Sequence, residues 1–125
     1  MSHFTTIKTM IRDITALKAA CAELGLELLE NTEARGFSSN RIRGDYVIKL
    51  KGPYDVALNR QPDGSYAVNA DLWQGRVESE LGPDFGRLRQ LYGVHKSMSE
   101  ARRRGLSVTR RNQPNGTVRL ALCRV

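Results

Sequence analysis

The side chains able to do chemistry are few in these 125 residues. The cysteines are Cys21 and Cys123, the histidines His3 and His95, and no two of the four lie within four residues of each other. Zinc sites use short-range ligand pairs to gather three or four donors. This spacing therefore gives no metal site, and two cysteines give no disulfide framework. They read as reduced cysteines, Cys21 on the apolar side of a helix and Cys123 at the end of a strand. There is no phosphate-binding glycine loop, dinucleotide fingerprint, nucleophile elbow or His-Glu-x-x-His helix. Asp84-Phe85-Gly86 matches a kinase tripeptide by accident, since a kinase needs a far longer chain with a catalytic loop upstream. The pairs Glu30/Glu33 and Glu78/Glu80 read as solvated charges. His95 could serve as a general base, but catalysis requires a third group to orient such a base, and none is visible. A core or half-exposed histidine is the plainer reading.

Arginine is the remaining chemistry. Twenty basic residues oppose thirteen acidic ones for a net charge of +7, and the excess is uneven. Phe85 to Val125 holds ten cations and one acid, Glu100, and so carries +9, whereas residues 1–84 sum to −2. Fifteen of the twenty cations are arginine, whose planar fork pairs bidentately with phosphate or carboxylate. Lys96, Arg102, Arg103, Arg104, Arg110 and Arg111 are the candidate anion- or partner-binding set. They predict a basic face for RNA, DNA or an acidic protein surface. The competing expectation is self-neutralisation by the acidic first part, including Glu23, Glu27, Glu30 and Glu33. No RNA- or DNA-binding motif separates the two. Tyr46, Tyr54, Tyr66 and Trp73 lie away from the basic run and are expected in core or rim packing.

The elements that must position these residues follow from periodicity and punctuation. Residues 3–11 suit a strand. Asp13 is an N-cap, and Ile14, Leu17, Cys21 and Leu24 fall on one helical stripe that Gly25 ends. Leu26–Leu29 reads as a strand, and Asn31–Gly44, rich in Gly, Ser and Asn, as a loop carrying Arg35, Arg41 and Arg43. Three short strands follow at 46–50, 54–58 and 65–70, the last two joined at Asp63-Gly64. Residues 73–83 read as irregular. Phe85, Leu88, Leu91/Tyr92, His95 and Met98 predict a second helix over 84–104, with Gly86 and Gly93 arguing against its continuity. Residues 106–109 and 117–122 predict a terminal hairpin around Asn115-Gly116, a pair favouring a type I′ turn.

Two stretches share helix, Gly-Leu, strand, loop and Gly, namely Gly25-Leu26 to Gly36 and Gly105-Leu106 to Gly116, with the same spacing. An internal αβ duplication is one explanation, and the ordinary chemistry of helix ends is the other. The expected fold is one α+β domain over 1–125, an antiparallel sheet of six or seven strands with two helices on one face. No apolar run approaches a membrane span, and Met1-Ser2-His3-Phe4-Thr5-Thr6 lacks the layout of a secretory leader, so a cytoplasmic protein is expected.

The opening Ser2-His3-Phe4-Thr5-Thr6-Ile7-Lys8, the helix ending Leu24-Gly25-Leu26, the stretch Tyr54-Asp55-Val56-Ala57 to Asp63-Gly64-Ser65-Tyr66, and Gln90 with Tyr92 carry a resemblance over most of the chain. Together they resemble the uncharacterised family known as hypothetical chloroplast reading frame thirty-five, of plastids and cyanobacteria. The resemblance implies a small cytoplasmic or stromal α+β protein and an AAA-type ATPase as a partner. It brings no activity, cofactor or site residue. The resulting expectation is a non-catalytic binding or adaptor protein without a cofactor, whose Arg-rich C-terminal face meets an anionic partner. The alternative is a small enzyme using His95 with nearby arginines.

Overall fold

The computed structural model describes residues 4–124. His3, at the start of the expected first strand, lies outside them. Chain order is β1 (Phe4–Lys8), α1 (Ile14–Glu23), β2 (Glu27–Arg35), β3 (Arg41–Lys49), β4 (Val56–Arg60), β5 (Tyr66–Asp71), α2 (Glu78–Leu81), α3 (Gly86–Arg103), β6 (Leu106–Asn112) and β7 (Val118–Arg124). The α+β class holds, with seven antiparallel strands, but they divide into two sheets. Five form one sheet in the order β1-β5-β4-β3-β2, while β6 and β7 pair only with each other.

The helices form where their caps and stripes dictate. Asp13 accepts from the Ala16 amide at 3.1 Å, satisfying a donor of the first turn. Gly25, at φ +73°, ends α1 while the Leu26 amide reaches back to the Cys21 carbonyl at 2.9 Å. α1 buries Ala16, Leu17, Ala20 and Cys21. α3 runs unbroken through Gly93 and buries Leu88, Leu91, Val94, Met98 and Ala101. It starts two residues later than expected because Asp84 and Phe85 both take left-handed φ near +57°. The Tyr92 hydroxyl accepts from the Arg12 and Asp13 amides at 3.0 Å each, fixing α3 against the entry to α1.

One face of the large sheet meets the helices. Cross-strand rows place Tyr46, Leu58, Val68 and Ile7 together, and Ile48, Val56 and Ala70 beside them. These pack with Leu17, Leu81, Phe85, Leu88 and Leu91 into one core. Tyr46 and Tyr66 meet edge to face at 5.9 Å, and Tyr54 is buried.

The expected loop at 31–44 is instead the distal half of a long hairpin. β2 and β3 pair from Glu27/Lys49 to Arg35/Arg41, joined by a turn in which Gly36 N–H donates to the Asn40 carbonyl at 3.0 Å. Pairing lapses only opposite Asn31, which has φ +51°. There the hairpin bends over the second face of the sheet. A side chain at Gly44 would run into Ala57, and one at Gly36 into the Phe4 ring. Beneath the fold-over, Ala34, Val47 and Ala57 are fully buried with Ile42 against them. Polar composition made this segment look like a loop; its strand pairing is dictated by this second, small core.

Two buried carboxylates hold the fold-over down. Asp71, without exposure, accepts from the Phe37 and Trp73 amides at 2.9 and 3.0 Å. Asp55 takes the Arg35 fork through Nε and Nη2 at 2.8 Å each, and also the Arg35 and Leu50 amides. Burial pushes the Asp55 carboxyl up, but the Arg35 guanidinium and these amides hold it below the usual carboxylate range. Arg35→Ala should therefore destabilise the fold by about 2–3 kcal/mol, less than for a fully enclosed pair because water reaches Arg35. Urea unfolding at pH 7 measures this; a loss below about 0.5 kcal/mol would show that the pair contributes only as a surface bridge.

Candidate partner-binding surface

The C-terminal hairpin begins where Gly105, at φ +76°, ends α3, its amide reaching the Arg102 carbonyl at 3.0 Å. Its turn is not type I′, since Gly116 at φ +88° is left-handed and Asn115 is not. Pro114 gives the reason: its ring holds φ negative at the first central position, where type I′ requires a positive value. The result is a type I turn closed by a left-handed glycine. Gly116 N–H donates to Gln113 O at 3.0 Å, Gln113 N–H to Thr117 O at 2.8 Å, and Asn115 Oδ1 accepts from the Thr117 amide and hydroxyl. Gln61-Pro62-Asp63-Gly64-Ser65 makes the same turn between β4 and β5. The glycine spacing of the suspected duplication thus marks equivalent helix ends at Gly25 and Gly105 but not equivalent turns, because Gly36 is not left-handed.

No residue of β6 or β7 is fully buried. Strand alternation sends Ser107, Thr109, Arg111, Arg119, Ala121 and Cys123 to one face, all exposed. The other face carries Leu106, Val108, Arg110, Val118, Leu120 and Leu122, mostly half-buried, with Leu122 54% exposed.

This alternation splits the candidate arginines. Arg110 forks onto Glu23 at the end of α1, Nη1 to Oε1 at 2.8 Å and Nη2 to Oε2 at 2.7 Å. His95 Nε2 on α3 meets the same Oε1 at 2.8 Å. One carboxylate thus ties α1, α3 and β6. Arg110 above all, with His95 beside it, draws the Glu23 carboxyl down to about 2. Lys96 is also engaged, bonded to Asp13 at 3.1 Å and Glu100 at 3.2 Å, and Arg103 reaches Glu100 at 3.2 Å. Arg102, Arg104 and Arg111, together with Arg119, are exposed and enter no ion pair among the described residues. Self-neutralisation is therefore partial: of Glu23, Glu27, Glu30 and Glu33, Glu23 alone pairs with a C-terminal arginine among the described residues.

Sequence reasoning weighed the arginines as a block and missed the split between Arg110 and Arg111. The period of two along a strand was the signal, since neighbours on a strand face opposite ways. It also missed the aliphatic row Val118, Leu120, Leu122, legible in the same alternation. His95 is turned to Glu23, whose two oxygens Arg110 already occupies, an arrangement that orients a tie between elements. Cys21 is enclosed in the core, where burial pushes its thiol up to about 12, and Cys123 is exposed. A cleft of about 420 Å³ with mostly apolar walls lies elsewhere, between Ile7, Ile11, Phe85, Leu88 and Tyr92.

The Glu23 tie has a pH signature. Its carboxyl ordinarily titrates near 4.5 and here near 2, so its stabilisation is complete above about pH 4.5 and is lost as pH falls towards 2. Glu23→Gln should cost about 1–2 kcal/mol at pH 7 and flatten the acid limb of stability across that window. Urea unfolding of both proteins at pH 7 and pH 3 checks this; parallel pH curves would contradict it.

Among the described residues, no helix is long and apolar enough to cross a membrane. No solved structure matches the chain. "Uncharacterized protein ycf35" of Pyropia yezoensis is 28% identical over 128 residues, covering 99% of this chain and 98% of that protein. The model of the family described as "Protein of unknown function (DUF1257)" matches residues 20–121. With the family model spanning most of the fold, from α1 to β7, the chain belongs to the DUF1257 family, in line with the expected reading-frame-thirty-five resemblance.

Proposed function

We propose that this protein is a non-catalytic adaptor whose C-terminal hairpin and adjoining end of α3 bind an acidic protein surface. The observation that carries the reading is that Arg102, Arg104, Arg111 and Arg119 are exposed and enter no ion pair among the described residues, while the opposite face of the hairpin carries a partly exposed aliphatic row on β7. A strand with a basic face and an apolar face suits a protein partner that reaches both at its edge. Nucleic acid suits it less: from Gly93 to Arg124 there is no Phe, Tyr or Trp on which a base could stack, and the ring of His95 is turned to Glu23. An enzyme built on His95 draws less support, because the Glu23 carboxylate that faces its Nε2 also holds the Arg110 fork and so acts as a tie between elements.

Fluorescence anisotropy of labelled poly-glutamate and of a single-stranded RNA of equal charge, each titrated with the full chain, tests the reading. Poly-glutamate should bind, weaken with salt, and lose about tenfold affinity in Arg111→Glu/Arg119→Glu, two positions that the fold leaves free. RNA binding clearly tighter than poly-glutamate, with the same arginine dependence, would replace the acidic protein by nucleic acid. Binding indifferent to both arginines would overturn the surface itself.

A further inference from the structure

We infer that the outer edge of β7 is a docking edge to which the acidic partner adds a strand, an inference that rests on the acidic-partner reading above. A two-stranded sheet has two unpaired edges by necessity, and β6 and β7 pair only with each other. The turn determines which backbone groups are free. Gln113 and Thr117 form a hydrogen-bonded pair. Antiparallel alternation then makes Arg111/Arg119, Thr109/Ala121 and Ser107/Cys123 the bonded pairs and turns the N–H and C=O of Val118, Leu120 and Leu122 outward.

Charge specifies the occupant. Arg111 and Arg119 stand directly opposite each other on the exposed face, a like-charge pair that costs stability in the free protein. Neither arginine enters an ion pair among the described residues, and Ala101 to Arg124 contains seven arginines and no Asp or Glu. A second copy of this hairpin would bring the same charges to the edge, so pairing with itself is disfavoured. A strand with Asp or Glu at alternate positions would place carboxylates beside Arg119 and within reach of Arg111. Its intervening aliphatic residues would extend the row of Leu120 and Leu122, the latter 54% exposed. Between the two edges, β7 fits better, because β6 is the strand tied back to α1 and α3 through Arg110.

Two synthetic peptides of about nine residues, long enough to span a strand, separate the possibilities. Both contain Glu and Val in equal proportion, alternating in one and segregated into blocks in the other. The full chain should bind the alternating peptide about tenfold more tightly, since only alternation presents one charged and one apolar face to the edge. Amide hydrogen exchange at Leu120 and Leu122 should slow at least tenfold on binding, while Arg119 and Ala121, already bonded to β6, change little. Leu122→Pro, which removes an outward donor near the strand end, should abolish the preference for alternation. Equal binding of both peptides with unchanged exchange at Leu120 and Leu122 would overturn strand addition and leave the acidic-partner reading standing. Failure of both peptides to bind, or binding unaffected by Arg111→Glu/Arg119→Glu, would overturn the two together.

Discussion

The C-terminal hairpin has no core of its own, so its position depends on the carboxylate of Glu23. Two seven-residue strands with no fully buried residue are marginal alone. They are held by half-buried aliphatic contacts, by Gln90 donating to the Gly116 carbonyl at 2.8 Å, and by the Arg110 fork on Glu23. The fork is the charged contact that reaches the hairpin from the rest of the described chain. It also fixes orientation. With Arg110 turned inward, its neighbour Arg111 must face out, and Arg119 with it.

A similar division of labour recurs in the large sheet. Its helix-facing side is closed by apolar packing under α1 and α3, whereas its second face is closed by a bent hairpin clamped through Arg35–Asp55 and Asp71. Charged groups there are consumed internally, bonded to backbone amides and carbonyls. Arg102, Arg104, Arg111 and Arg119, at the end of α3 and on the outer face of the hairpin, enter no ion pair among the described residues, as is also true of Arg60 and Arg87 elsewhere on the surface. Net charge concealed the unevenness, because +7 is the sum of −2 over residues 1–84 and +9 over residues 85–125.

Local chemistry was legible in the sequence; long-range coverage was not. Asp13 with the stripe Leu17 and Cys21, the glycine ends at Gly25 and Gly105, and the hairpins at Gly64 and Gly116 all follow from side chains acting within a few residues. The strands at 31–44 could not be read that way. Their polar residues pair because Ala34 and Ile42 find Val47 and Ala57 beneath a fold-over, a contact that no local pattern encodes. The split of the sheet was hidden for the same reason, since β6 and β7 alternate like any strand and only their packing on α3 sets them apart. Of the site, the Arg110/Arg111 split was available from alternation, while the choice of Glu23 over Glu27, Glu30 or Glu33 depended on where α1 ends in space.

Residue-resolved chemical-shift mapping of the full chain titrated with poly-glutamate tests the central claim most directly. Shifts centred on Arg102, Arg104, Arg111, Arg119 and the β7 backbone, with Ala34, Val47 and Ala57 unmoved, are the predicted result. Shifts centred instead on the cleft between Ile7 and Tyr92, or spread over the chain without a focus, would contradict it.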